Sequence, residues 1–185
     1  MEELRELKER MKTQRPADWD NLPDLSLYMD QVIGYMPRQL IQYGEAERLT
    51  SAMVNNYIKD GLLPRADGKR YNRTHLGYLT AICALKQVLP VKDAGLLVNL
   101  HAGQEEQARY AHFCAELDRA LTDSAGRLDV DRGPEELPQL ALTLALRSYA
   151  DGLACRRVME LIRQAEGGET SKKSKKERKE EKRHE

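Results

Sequence analysis

Apolar residues return at three- and four-residue steps along most of this chain, and that period points to a mainly helical fold. Leu25, Met29, Val32, Ile33, Met36 and Leu40 make one stripe, and Tyr78, Ile82, Leu85 and Leu89 a second. Tyr110, Phe113, Leu117 and Leu121 make a third, and Leu142, Leu146, Tyr149 and Leu153 a fourth. Asp67-Gly68 is the strong hairpin signal, of the type I′ kind. With one Trp and one Phe in 185 residues, the core has to be aliphatic. The length suits one well-cored domain, or a smaller one with an appendage.

Capping and breaking residues divide the stripes into helices. Asp24 is expected to cap a helix that starts at Leu25, and Pro37 to kink it or to start a second one. Thr50 is expected to cap the short helix SAMVNNYIKD, which Gly61 ends by tolerating a positive φ. Asn72 is expected to cap the next helix, and Pro90 to open another, VKDAGLLVNL. A loop at Ala102-Gly103 leads to a helix over about residues 104–122, the stretch from Ser124 to Pro134 reads as a connection, and a long helix runs over about residues 135–165. That last helix is apolar on two sides, because Leu137, Leu140 and Leu144 lie nearly opposite the Leu142 seam. Its second partner is either a second subunit or the rest of a monomeric bundle. Residues 1–15 alternate charge around Leu4, Leu7 and Met11, which fits either a docking helix or a frayed start. Trp19 is expected to plug an edge of the core.

Composition narrows the function. Eight of the 30 basic residues and five of the 30 acidic ones fall in 169–185, so residues 1–168 carry a net charge of −3 and the tail +3. The tail lacks apolar residues and is expected to be disordered, serving either non-specific attraction to nucleic acid or solubility. No apolar run reaches the roughly 18–20 residues of a membrane span, and the charged N-terminus does not read as a signal peptide, so a cytoplasmic protein is expected. Cys83, Cys114 and Cys155 are too widely spaced for a disulfide framework or a C-x-x-C metal site. The phosphate-binding glycine loops and the G-x-S-x-G and H-E-x-x-H motifs are missing, and no carboxylate stands isolated in an apolar setting. Neither an enzyme nor a cofactor or metal is expected.

The middle of the chain holds the candidate site. In SAMVNNYIKD, Met53, Val54, Tyr57 and Ile58 take one side, while Ser51, Ala52, Asn55, Asn56 and Lys59 take the other. The second side is small, polar and amide-rich. The following LLPRADGKRY carries Arg65, Lys69 and Arg70 on the hairpin, with Arg73 just beyond. An Asn side chain can pair bidentately with adenine, so Asn55 and Asn56 are candidates for base contact. Ser51 and Lys59 suit phosphate. Arg65, Lys69, Arg70 and Arg73 would grip the backbone or a minor groove, with Tyr71 anchoring the base of the hairpin. A different reading stands beside each: Asn56 bonding within the fold, Tyr71 as a core residue, the hairpin as a solvated turn.

A helix, a basic hairpin with an Asp-Gly tip and a Tyr-led helix follow one another over residues 49–98, and this stretch resembles the DNA-binding head of MerR-type regulators. The segments LPDLSLYMDQVIGY, LTSAMVNNYIKDGLL, KRYNRTHL and LKQVLPVKDAG together resemble the bacterial domain-of-unknown-function family 1836, itself regarded as MerR-like. The resemblance implies a mainly α fold: a MerR-like winged helix-turn-helix with a small β-hairpin wing over 21–101, preceded by an extension (1–20). A helical dimerisation or effector region (102–166) and the basic tail (167–185) would follow. It also implies a regulator that binds double-stranded DNA, with a homodimer as the natural state. The alternative is a winged-helix module for protein–protein interaction. MerR heads place an Arg at the position of Asn55 and an aromatic at that of Asn56, and their first turn is tighter than the IQYGEAERL segment here. The cysteines of metal-sensing MerR proteins have no counterpart.

Overall fold

The computed structural model describes residues 1–41, 48–100 and 105–181, with side chains up to residue 165. Most of the IQYGEAERL segment and the Ala102-Gly103 loop lie outside the described residues. The chain forms two units, 1–132 and 133–185.

Among the described residues the first unit has six α-helices: α1 (Glu2–Thr13), α2 (Met29–Tyr35), α3 (Ser51–Lys59), α4 (Arg73–Leu85), α5 (Val91–Asn99) and α6 (Glu106–Arg127). Two 3-10 turns, Trp19–Asn21 and Met36–Arg38, join the first of them. Helix α4 is central. It packs against α5, α6 and the Met36–Arg38 turn, while α1 lies along α6. Its Leu76, Leu79, Thr80 and Ile82 have no exposed surface, and they join Val32, Met36, Val54, Tyr57, Leu63 and Tyr71 in one core. Thr80 turns its hydroxyl back to the Leu76 carbonyl at 2.8 Å, so its burial leaves no unmet donor. Leu4, Leu7 and Met11 of α1 are half-buried, so this segment is a docked helix and not a frayed start. Lys8 Nζ donates to the Leu128 carbonyl at 2.6 Å, and Arg15 Nε reaches Asp118 at 2.6 Å, which ties α1 and its exit to α6.

The expected caps at Thr50, Gly61 and Asn72 are in place. Thr50 Oγ1 accepts from Met53 N–H at 3.2 Å, Gly61 has φ +73°, and Asn72 Oδ1 accepts from His75 N–H at 3.3 Å. Met36–Pro37–Arg38 is the break that Pro37 foretells. Elsewhere the boundaries shift. Helix α2 starts at Met29 and not at Leu25, because Leu27 spends both backbone groups on an antiparallel bridge to Tyr71. Gln31 Oε1 then takes the Tyr28 N–H at 2.9 Å, and Leu25 is left 75 % exposed. Helix α6 continues to Arg127, five residues past the expected end, since Ala125 is fully buried and Leu128 closes the last turn.

The hairpin is shorter than a two-stranded wing. No strand occurs among the described residues; Asp67 pairs with Arg70 and Leu27 with Tyr71 as isolated bridges. Pro64 has no N–H to offer a ladder, and Asn72 already caps α4, so neither arm has room to extend. The turn also sits one residue later than the Asp67-Gly68 signal suggests. Gly68 (φ 52°) and Lys69 (φ 67°) are its central residues. This register puts Ala66 and Tyr71 on the inner side, where both pack against the core, and turns Asp67 and Arg70 outward.

The second unit is the 3-10 turn Pro134–Glu136 and α7 (Leu137–Glu181). Its backbone stays helical through Gly167-Gly168, where the composition suggests that the chain leaves the helix; Lys and Glu, which dominate beyond, are good helix formers. The expectation of a disordered tail over 167–185 concerns residues whose side chains lie outside the described set. Leu142, Leu146, Tyr149 and Leu153, the seam read from the sequence, are all exposed. Among the described residues no helix is long and apolar enough to cross a membrane.

Two outcomes follow from this packing. Thr50→Ala is expected to cost about 1 kcal/mol of stability by removing the α3 cap, read from urea unfolding. His75 is buried, and burial pulls its pKa below the ordinary imidazole value, against opposing pulls from the Arg65 carbonyl and Glu106. The unfolded chain therefore takes up this proton first. Stability is expected to fall as pH drops below about 6.5 and to level off once folded His75 is itself protonated. Urea midpoints at pH 7.5 and 5.5 check this: the drop should be smaller in His75→Gln than in the wild type.

Candidate nucleic-acid interface

Helix α3 is amphipathic for a simple reason. Val54 and Tyr57 are fully committed to the core, with Met53 and Ile58 at its margin, and the remaining positions have nowhere to go but solvent. Ser51, Ala52, Asn55, Asn56 and Lys59 are all exposed. Neither the Asn55 nor the Asn56 side chain hydrogen-bonds to any other described residue, so the reading in which Asn56 serves the fold has no contact behind it. The exit of the helix is fixed by two bonds to the Tyr57 carbonyl, from Leu62 N–H at 2.8 Å and Leu63 N–H at 3.2 Å. Leu62 in turn lies against Gly95 of α5, where a Cβ would collide with it.

The hairpin that follows is held to the core at its base and open at its tip. Tyr71 is buried and meets the His75 ring edge-on at 5.4 Å. His75 Nδ1 accepts from Asn72 N–H at 3.2 Å, and Nε2 lies 3.3 Å from the Arg65 carbonyl oxygen, so one imidazole joins the α4 cap to the hairpin's first arm. Arg65, Lys69 and Arg70 are exposed. Arg70 is the most ordered of the three: its guanidinium lies 5.0 Å over the Tyr28 ring, with Nη2 donating to the Tyr28 hydroxyl at 3.0 Å.

Two of the nine candidates therefore belong to the fold. Tyr71 is a core residue, the second of the two roles open to it. Arg73 is half-buried, donates from Nη2 to the Leu22 carbonyl at 3.2 Å and lies 5.9 Å over the Trp19 ring. The structure brings Arg65, Lys69 and Arg70 together on one turn and sets Arg73 apart from them. Tyr28 and Leu27 are the residues that sequence reasoning missed. They sit inside a good helical stripe, and their partners Arg70 and Tyr71 are more than forty residues away, so no local signal marks them.

Nothing among the described residues of this region resembles a metal or redox centre. The cysteines are free, and burial pushes the Cys83 thiol up to about 11 and Cys114 upward as well, which keeps both protonated near neutral pH. Among the described residues no group of three His, Cys, Asp or Glu side chains is placed to hold a metal ion.

Comparison with known families gives a match, over residues 17–114, to the family described as Domain of unknown function (DUF1836). No curated protein and no solved structure matches the chain. The family match begins just after α1, takes in helices α2 to α5 and the hairpin between α3 and α4, and ends within α6. The chain is a member of the DUF1836 family.

Proposed function

We propose that this protein is a MerR-like winged helix-turn-helix regulator that binds double-stranded DNA, with α3 as the recognition helix and the 65–70 turn as a reduced wing. One observation carries the reading: a helix buried on one face presents two unbonded Asn side chains, a Ser and a Lys on the other, just ahead of an exposed basic turn. Asn55 and Asn56 have the donor–acceptor pair that adenine's major-groove edge requires. Ser51, Lys59, Arg65, Lys69 and Arg70 supply phosphate contacts, which set register without reading sequence. The order of recognition helix, hairpin and Tyr-led helix supports the MerR-like assignment. Arg73 has no part in it.

One head of this size contacts few base pairs, so the working form is a homodimer on two half-sites. Helix α7 offers the surface for it. Leu142, Leu146, Tyr149 and Leu153 follow a four-three-four spacing and are 47–61 % exposed, a seam that a second copy would cover.

A second reading, a module for protein–protein interaction without sequence-specific DNA binding, draws on the net −3 of residues 1–168 and on the withdrawal of Arg73. Fluorescence anisotropy of the full chain on random-sequence duplex separates the two. Binding should weaken with salt, and replacing Arg65, Lys69 and Arg70 together by Gln should flatten the log–log slope by roughly 2 to 3, since each neutralised phosphate contributes about −0.9. An unchanged slope would move any DNA affinity to the tail and favour the interaction module. For the dimer, light scattering coupled to gel filtration should give twice the chain mass, and Leu146→Glu with Leu153→Glu should halve it.

A further inference from the structure

Helices α4 and α6 meet at Gly77. A Cβ there would stand 3.1 Å from Tyr110 Cδ2 and 3.5 Å from Trp19 Cζ3, so the missing side chain lets two aromatic rings close onto the helix. Trp19 and Tyr110 lie 5.9 Å apart at 54°, and Tyr110 and Phe113 follow at 6.3 Å. The Tyr110 hydroxyl is tied off on the Ala17 carbonyl at 2.8 Å, which fixes this buried ring in the wall between the two helices. With Tyr78, Ala81 and Leu97, these rings line a half-open cavity of about 320 Å³. That is the lower end of the range for small-molecule sites, and the mixture of aromatic wall and few polar groups is typical of them.

The charged residues of the lining supply the selectivity. Glu106 accepts from the Thr74 hydroxyl and Glu116 pairs with Arg119, so both carboxylates have a donor. Arg109 is different. Its guanidinium lies 5.2 Å over the Tyr78 ring, and Nη1 donates to the Tyr78 hydroxyl at 2.9 Å. Among the described residues it makes no ion pair, and its Nε finds no acceptor. A half-buried cation whose single hydrogen-bond acceptor is a neutral phenol keeps most of its attraction for an anion, and a planar guanidinium matches a carboxylate.

We propose that this cavity is a binding site for a small aromatic carboxylate, its ring system against Trp19, Tyr110 and Phe113 and its carboxylate on Arg109. No residue of α3 or of the hairpin lines the cavity, so the proposal stands whether or not the protein binds DNA.

The test uses the full-length chain, with 2-naphthoate, its neutral counterpart 2-naphthamide and the cationic 2-naphthylmethylamine as probes in isothermal titration calorimetry. The naphthoate should bind saturably at one per chain, roughly tenfold or more tighter than the amide, the margin of one charge-assisted contact. Arg109→Gln should erase that margin while leaving amide binding and the thermal midpoint of the free protein nearly unchanged. Ala81→Trp should fill the cavity and abolish binding of both. Should that variant not fold, Trp19 provides a second measurement, because it is the only tryptophan and its emission in the wild type should be quenched saturably by naphthoate. The proposal is overturned by any of four results: no saturable binding, an amide or amine that binds as tightly as the naphthoate, a preference that survives Arg109→Gln, or Trp19 emission that naphthoate leaves unchanged.

Discussion

Two backbone hydrogen bonds, both 2.8 Å, between Leu27 and Tyr71 set the geometry of the region from α2 to α4. They join segments more than forty residues apart, and three neighbouring features depend on them. Helix α2 starts only after Leu27 has been used. The hairpin takes its register from Tyr71, whose ring is buried among the core side chains. Helix α4 starts two residues later, at a cap that shares His75 with the hairpin's first arm. A slip of one residue at this bridge would turn Tyr71 to solvent and Arg70 into the core, exposing a large ring and burying a charge without a partner.

Several helix boundaries were legible in the sequence from local signals, although the equally local Asp24 cap was not used. Thr50, Gly61, Asn72 and Pro90 each act on their own backbone, and each marks a boundary within about a residue. The buried face of α3 was equally plain, since Val54 and Tyr57 sit one turn from each other. What could not be read were the pairings across distance. The start of α2 follows from Tyr71, the hairpin register from Ala66 and Tyr71 facing the core together, and the length of α6 from Ala125 packing inward. The same limit applies to the site. Exposure of Asn55, Asn56 and Lys59 follows from helical period alone, whereas the fate of Arg73 was decided by Trp19 and the Leu22 carbonyl, neither of which its own neighbourhood reveals.

Three arginines of the first unit share one physical arrangement. Arg70 lies on Tyr28, Arg73 on Trp19 and Arg109 on Tyr78, each with its guanidinium 5.0–5.9 Å from the ring centroid. Stacking on a ring orders a long side chain without neutralising it. The three then differ only in what else they touch. Arg73 adds a backbone carbonyl and becomes part of the fold, Arg70 stays at the surface of the turn, and Arg109 lines a cavity. Three of the chain's ten aromatic residues, its single Trp among them, thus position positive charge.

Lys69 adds an unusual piece of backbone chemistry. At φ 67° its Cβ crowds the following carbonyl, and an L-residue held there gives up about 1 kcal/mol that glycine would not. Its ammonium recovers none of this, because it makes no hydrogen bond or ion pair with any described residue. Judged by folding alone, the position belongs to Gly or Asn. A lysine there is a conformational loss that no contact within the described chain offsets, so the turn carries its strain at the tip.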